Sequence, residues 1–239
     1  MAKMRGKPPR TPQLGTHGLD DNLHAYATAW SAPEPDALGR LRRTTWTQVL
    51  KPQMLCDELQ GRLLAMLSHM IQPQRVLELG TFTGYATACW TEGMPVHGTV
   101  DTVDVNDELH HIQDVHWKAM GLTDRIRRHT GRALDVLESG TLFEDDHRPF
   151  DVVFVDADKG HQEAYVKWAI GHVADGGWIV VDNVLWWGEV MRAARGEDTE
   201  IQAQQIHALN AFIQSHPELD NLILPLRDGL HVARRKPRR

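Results

Sequence analysis

Two cysteines, Cys56 and Cys89, are all that the 239 residues contain, and they form no CxxC pair. Both read as reduced thiols of a cytoplasmic protein rather than as a disulfide framework. No apolar run approaches the ~20 residues that a membrane span needs, and no apolar signal segment follows Met1. There is no GxGxxG. Fourteen histidines is a high number, but they are scattered, without HExxH or paired zinc spacing, and most read as surface residues. The net charge of −6 excludes a general nucleic-acid binder. Positive charge gathers only at the ends, in MAKMRGKPPR and ARRKPRR, which read as solvated tails.

What is present is an α/β pattern. Residues 1–18 read as a disordered tail, 19–72 as a helical extension, 73–235 as one domain and 236–239 as a basic tail. In the extension, Leu23, Tyr26, Ala27 and Trp30 share one helical face. Leu38 and Leu41 lie in a second helix, with Trp46 and Val49 further along. Residues 57–71 form a third helix, with Leu59, Leu63, Leu64, Leu67, Met70 and Ile71 turned inward. From residue 76 strands alternate with helices: strands at 76–79, 99–105, 125–129, 151–156, 178–182, 221–226 and 229–235. The helices between them include 107–120, 161–173 and 199–214. The spacing predicts Asn106 as the cap of 107–120, with Leu109, Ile112, Val115 and Ala119 inward. Such alternation means a mostly parallel sheet with helices on both faces. The last two strands are joined by only Arg227-Asp228-Gly229, too short for a crossover, so they pair antiparallel.

The stretch RVLELGTFTGYA, residues 75–86, organises the rest. A short apolar strand runs into Gly80 and Gly84 and then into a helix start. In open parallel sheets ligands sit at such strand ends, near free N–H groups of a helix. Glu78 is costly at the end of a buried strand unless it is paired or meets a cation. A plain turn, with Glu78 capping a neighbouring loop, is the alternative. Further strand ends repeat the theme. The second carries Asp104, an acid suited to ribose hydroxyls. The third leads into Gly131-Arg132-Ala133, small enough to flank a flat ring. The fourth ends in VVFVDADKG, with Asp156, Asp158 and Lys159, and the fifth in VVDN, with Asp182 and Asn183. Asp156, Asp182 and Asn183 offer hard oxygens that match Mg²⁺ or a similar ion. Their alternative is to cap the helices that follow.

These blocks resemble the metal-dependent O-methyltransferases of the caffeoyl-CoA and catechol type. The resemblance runs from about Leu23 to Arg235. It rests on MLCDELQGRLL, ELGTFTGYA, VDVN, FVDADKG, GGWIVVDNVLWWGEV and LPLRDGLHVARR, in order. It implies a Rossmann-like, seven-stranded S-adenosylmethionine (SAM) methyltransferase sheet whose last strand is antiparallel. Carried residue by residue, it implies that Glu78, Gly80 and Phe82 line the methionine end of SAM, with Met54 nearby and Asp156 at the cofactor's edge. Asp104 would hold the ribose and Ala133 would lie by the adenine. Asp156, Asp182 and Asn183 would hold Mg²⁺, or Mn²⁺ or Ca²⁺. Lys159 would be the catalytic base and Asp158 would sit at the edge. The acceptor would be a small hydroxylated aromatic, catechol-like or a phenolic acyl-CoA, and the enzyme a homodimer.

The chain departs from the family at Ala86 and at His161-Gln162, and Leu55 to Leu59 fits it only loosely. Ala86 stands where a Ser or Thr usually helps bind the cofactor's carboxylate, leaving backbone N–H groups for that task. His161-Gln162 stands where Asn-Tyr is common. A nucleotide-dependent oxidoreductase would use Asp104 but has no use for the Asp-Asn pair. A methyltransferase for nucleic-acid amines would need an Asn/Asp-Pro-Pro-Tyr/Phe block, which is absent. A non-catalytic SAM-binding protein on the same fold would show no metal effect.

Overall fold

The computed structural model describes residues 21–237. The expected tail at 1–18 and the last residues of the C-terminal tail lie outside them. Helices α1 (Asp21–Ala29), α2 (Asp36–Gln48) and α3 (Glu58–Ile71) precede the sheet. Then come β1 (Arg75–Leu79), α4 (Tyr85–Thr91), β2 (Thr99–Asp104), α5 (His110–Ala119), β3 (Ile126–Thr130) and α6 (Ala133–Ser139). The second half holds β4 (Phe150–Val155), α7 (Gln162–His172), β5 (Val173–Asp182), α8 (Glu189–Ala194), α9 (Ile201–Ser215), β6 (Leu219–Leu224) and β7 (Leu230–Arg235). The sheet order is β3-β2-β1-β4-β5-β7-β6, with β7 antiparallel to both its neighbours and the other pairs parallel. Chain direction across the sheet reverses between β1 and β4, which opens the crevice where ligands of such sheets bind.

Side chains alternate across the strands, so the sheet builds two cores. Val76, Val100, Val152, Phe154 and Val180 pack under α2, α3, α4 and α5 through Leu41, Leu64, Ala88 and Trp117. Leu77, Leu79, Val103, Val153, Val155 and Val181 pack on the other face against α6, α7 and α9 through Leu137, Val166 and Leu209. No helix among the described residues is long and apolar enough to cross a membrane.

Three expectations need correction. Helix α5 begins at His110, not at 107, because Asn106 makes a local turn: its Oδ1 accepts from the Glu108 N–H. Its buried face carries Ile112, Gln113 and Trp117, while Val115 and Ala119 are exposed. That rotation lets Trp117 stack on Gly84, where an added Cβ would lie 2.4 Å from the ring. In α3 the buried positions include Gln60, Gly61 and Ser68, whereas Met70 is exposed. The β6–β7 link is longer than expected, residues 225–229, because it folds back onto the segment after β5. Leu185 N–H donates to the Asp228 carbonyl at 2.9 Å and Trp187 N–H to Asp228 Oδ1 at 2.7 Å.

Candidate active site

Strand register alone gathers the acids. Val103, Leu79, Val155 and Val181 form one row across β2, β1, β4 and β5. The next residue on each strand is therefore Asp104, Gly80, Asp156 and Asp182, side by side at the carboxyl edge. Gly80 sits at the reversal with φ +101°, and an added Cβ would lie 2.3 Å from the Asp156 carbonyl oxygen. Only glycine fits there, and it lets the strand ends close up.

Asp104 anchors the glycine turn. Its Oδ2 accepts the Thr81 and Phe82 N–H groups at 2.9 and 2.8 Å, and its Oδ1 accepts Asn106 N–H at 2.9 Å. Phe82 has φ +50°, a strained value for an aromatic residue. It is gripped from the other side by Gln113 Nε2, which donates to its carbonyl at 2.8 Å. Ala86 lies in the first turn of α4 and Ala133 opens α6; both are buried. Met54 ends a short 3₁₀ turn and is 58% exposed, two residues before buried Cys56.

Glu78 is fully buried one turn of the pleat below Gly80. Its Oε2 accepts from Thr102 Oγ1 at 2.6 Å and from Thr87 Oγ1, while Oε1 has no hydrogen-bond partner among the described residues. Burial pushes its carboxyl up to about 8. An unmatched buried carboxylate oxygen is what a cationic ligand would satisfy. A raised folded pKa means that Glu78 favours the folded chain at low pH, and that this advantage is lost as pH rises through about 8. Without ligand, Glu78→Gln should therefore be more stable than the wild type at pH 9, by about 3–5 kcal/mol as an upper bound, and no more stable at pH 4. Urea melts at the two pH values check this; equal stability at pH 9 would count against it.

Asp156 and Asp182 do not cap the following helices: α7 and α8 start without a side-chain cap. Asp156 Oδ1 instead meets Lys159 Nζ at 3.0 Å. Burial raises the Asp156 carboxyl to about 6; the Lys159 ammonium opposes that rise and the Asp182 charge adds to it. Asp182 is buried, and its Oδ1 accepts the Asn183 N–H at 2.7 Å. Asn183 turns the chain sharply with φ +60°, a region Asn tolerates better than most residues. Cys56 Sγ and one oxygen each of Asp156 and Asp182 lie within 4.8 Å of one another. Two carboxylates this close together, with Lys159 paired to Asp156 and the Arg227 guanidinium near both, offer clustered oxygen donors to a cation. An amide-bearing Asn at the same edge completes a donor set that fits a hard divalent ion. Asp158 is engaged elsewhere, by Tyr165 Oη and His161 Nδ1.

A family model described as O-methyltransferase matches residues 28–236. The chain belongs to the O-methyltransferase family. A catechol O-methyltransferase of Niastella koreensis is 32% identical over 179 residues, covering 73% of this chain and 79% of that one. Caffeoyl-CoA O-methyltransferase 2 of Petunia hybrida is 30% identical over 239 residues, covering 96% and 98%. The crystal structure of an O-methyltransferase from Bacillus cereus in complex with SAH superposes with a TM-score of 0.80 at 27% identity, over 90% of this chain and 97% of that one. The family resemblance carried by the sequence motifs is thus borne out, and this O-methyltransferase is an enzyme.

The motifs missed the neutral residues that hold the site. Gln113 looks like a surface position, yet it is buried under Phe82. Gln162, where the family pattern departs, donates to the Asp182 carbonyl at 2.9 Å. Thr87 and Thr102 flank Glu78. Only their placement opposite strand-end acids marks them, and that needs the register.

Proposed function

We propose that this O-methyltransferase moves the methyl group of SAM to a hydroxyl of a small aromatic acceptor, catechol-like or a phenolic acyl-CoA, with a divalent ion such as Mg²⁺ or Mn²⁺. The observation that carries the reading is the single row Asp104–Gly80–Asp156–Asp182, which sets a cofactor-type turn beside a hard-oxygen pair. Support for SAM comes from the relative that holds SAH, the cofactor's demethylated form. Support for the acceptor class comes from the relatives named for catechol and caffeoyl-CoA.

Asp156, Asp182 and Asn183 would hold the ion. Bound there, it would supply positive charge that brings the acceptor's phenol from its ordinary pKa of ~10 toward neutrality, about 4 kcal/mol of stabilisation. Glu78 would meet the cationic methionine end of SAM, with Gly80 and Phe82 lining it. Asp104 would take the ribose hydroxyls, Ala133 would flank the adenine, and the Ala86 backbone would serve the carboxylate. Lys159 Nζ would take the acceptor's proton or steady the oxyanion. The oxygen then attacks the methyl carbon in line with the C–S bond, and the sulfur leaves as a thioether. The test is methyl transfer from labelled SAM to a panel of catechols and acyl-CoA phenols, with and without Mg²⁺. No transfer to any of them would sink the acceptor class.

We place the enzyme in the cytoplasm, since both cysteines are buried free thiols. We also propose a homodimer. Tyr26 on α1, Trp30 just after it and Trp46 on α2 are 63, 77 and 51% exposed, a cost to solubility unless a partner covers them. Light scattering at micromolar concentration should give twice the 27.1 kDa chain mass; a monomer would refute it.

A further inference from the structure

Asp182 is held at both oxygens, and one of the holders comes from outside the sheet. Gln60, completely buried in the first turn of α3, donates from Nε2 to Asp182 Oδ2 at 2.8 Å. The amide's orientation is fixed from behind. Arg227 Nη1 donates to Gln60 Oε1 at 2.7 Å, and a guanidinium has only donors, so the carbonyl must face it. The NH₂ group is thereby forced toward the carboxylate. Arg227 is set in turn. It has φ +51° in the β6–β7 link, and its Nε lies 3.8 Å from Asp57 Oδ2. Asp57 caps α3 by accepting the Gln60 N–H at 2.8 Å, and it meets His24 Nε2 of α1 at 3.1 Å.

We infer that Gln60 is a positioning residue for the proposed ion site: it fixes the Asp182 carboxylate and stands between it and Arg227. The inference rests on the reading of Asp156, Asp182 and Asn183 as ion ligands. Gln60 has two physical effects. A neutral donor uses one lone-pair direction of Asp182 and orients the others without cancelling its charge, as outer partners of metal ligands do. It also spaces the guanidinium away. With a short or apolar side chain at position 60, the Arg227 cation is free to pair with Asp182 directly and to compete with the ion for it. The segment before the sheet thus completes the site, although it contributes no expected ligand.

The test measures Mn²⁺ binding by electron paramagnetic resonance and SAM binding by calorimetry. Gln60→Leu should weaken Mn²⁺ about 10- to 100-fold, the range typical of lost outer-shell partners, and leave SAM affinity within about twofold of wild type. Gln60→Leu/Arg227→Met should recover part of the loss, because the competing cation is gone; a merely structural defect would deepen instead. Wild-type Mn²⁺ affinity in Gln60→Leu overturns the inference. Should Gln60→Leu not fold, Arg227→Met alone decides. It frees the Gln60 amide to turn, and Mn²⁺ affinity equal to wild type then overturns the inference. Asp182→Ala separates the two readings: if it binds Mn²⁺ like the wild type, the ion site itself is wrong, whatever Gln60 does.

Discussion

Asp156→Ala, Asp182→Ala and Asn183→Ala should each lower kcat/KM for a catechol by about 10³-fold at pH 7, because a phenol near pKa ~10 is then ionised only one part in ~10³. EDTA should do the same to the wild type, and Mg²⁺ or Mn²⁺ should restore it. SAM affinity should hardly change, since Asp104 and Gly80 sit at the ends of the neighbouring strands β2 and β1, across the row from the β4–β5 pair. The pH profile separates lost chemistry from lost structure. Raising pH lets solvent remove the acceptor's proton, so the variants should gain about tenfold per unit up to the phenol's own pKa. The wild type should gain little over that range. Lys159 sets a second check. Removing Asp156 deprives its Nζ of the carboxylate 3.0 Å away, so Asp156→Ala should be the most damaged of the three. A wild type that methylates catechol at full rate in chelator would show that the carboxylates serve the fold alone.

Why these acids could be found from the sequence, and their supporters not, has a physical cause. Strands β4 and β5 end in runs of apolar residues, so a charged residue that closes the run lies at the carboxyl edge. VVFVDADKG and IVVDN announce Asp156 and Asp182 in that way. Glycines that cannot carry a Cβ announce themselves too, and Gly80 and Gly84 prove to be such positions. Register is another matter. That Asp104, Gly80, Asp156 and Asp182 share one row depends on three separate pairings, none of them encoded locally. Helix faces were legible only where apolar residues mark them. In α5 the acids at 107 and 108 imitate a first turn, and the buried Gln113 imitates a surface residue. In α3 the same happens with Gln60. A buried amide is chosen for what it donates to, and that partner lies 122 residues away for Gln60. Likewise the β6–β7 link looked like a short turn because Asp-Gly is a turn pair. Its extra length serves contacts with the segment after β5, which no local pattern reports.

Asp104→Ala should cost more than a ribose contact. One charge-assisted hydrogen bond is worth about 1.5–3 kcal/mol, or ~10- to 100-fold in SAM affinity. Yet the same carboxylate already accepts the Thr81 and Phe82 N–H groups and so holds Phe82 at φ +50°. Without it, those N–H groups lose their acceptor and the strained residue is free to relax, and the turn that would line the methionine end moves with it. The loss in SAM affinity should therefore reach the upper part of that range, and the ligand-free chain should also melt several degrees lower. Asp104→Asn separates the two contributions. Its amide oxygen can still accept from the turn, so melting should stay close to wild type, while the uncharged group binds the ribose less well and affinity falls only about tenfold. Calorimetric titration with SAM and a thermal melt measure both quantities for both variants. Should Asp104→Ala melt like the wild type yet bind SAM as weakly as predicted, the turn is held by Gln113 and the helix start alone. Should SAM bind unchanged, Asp104 belongs to the turn and not to the cofactor.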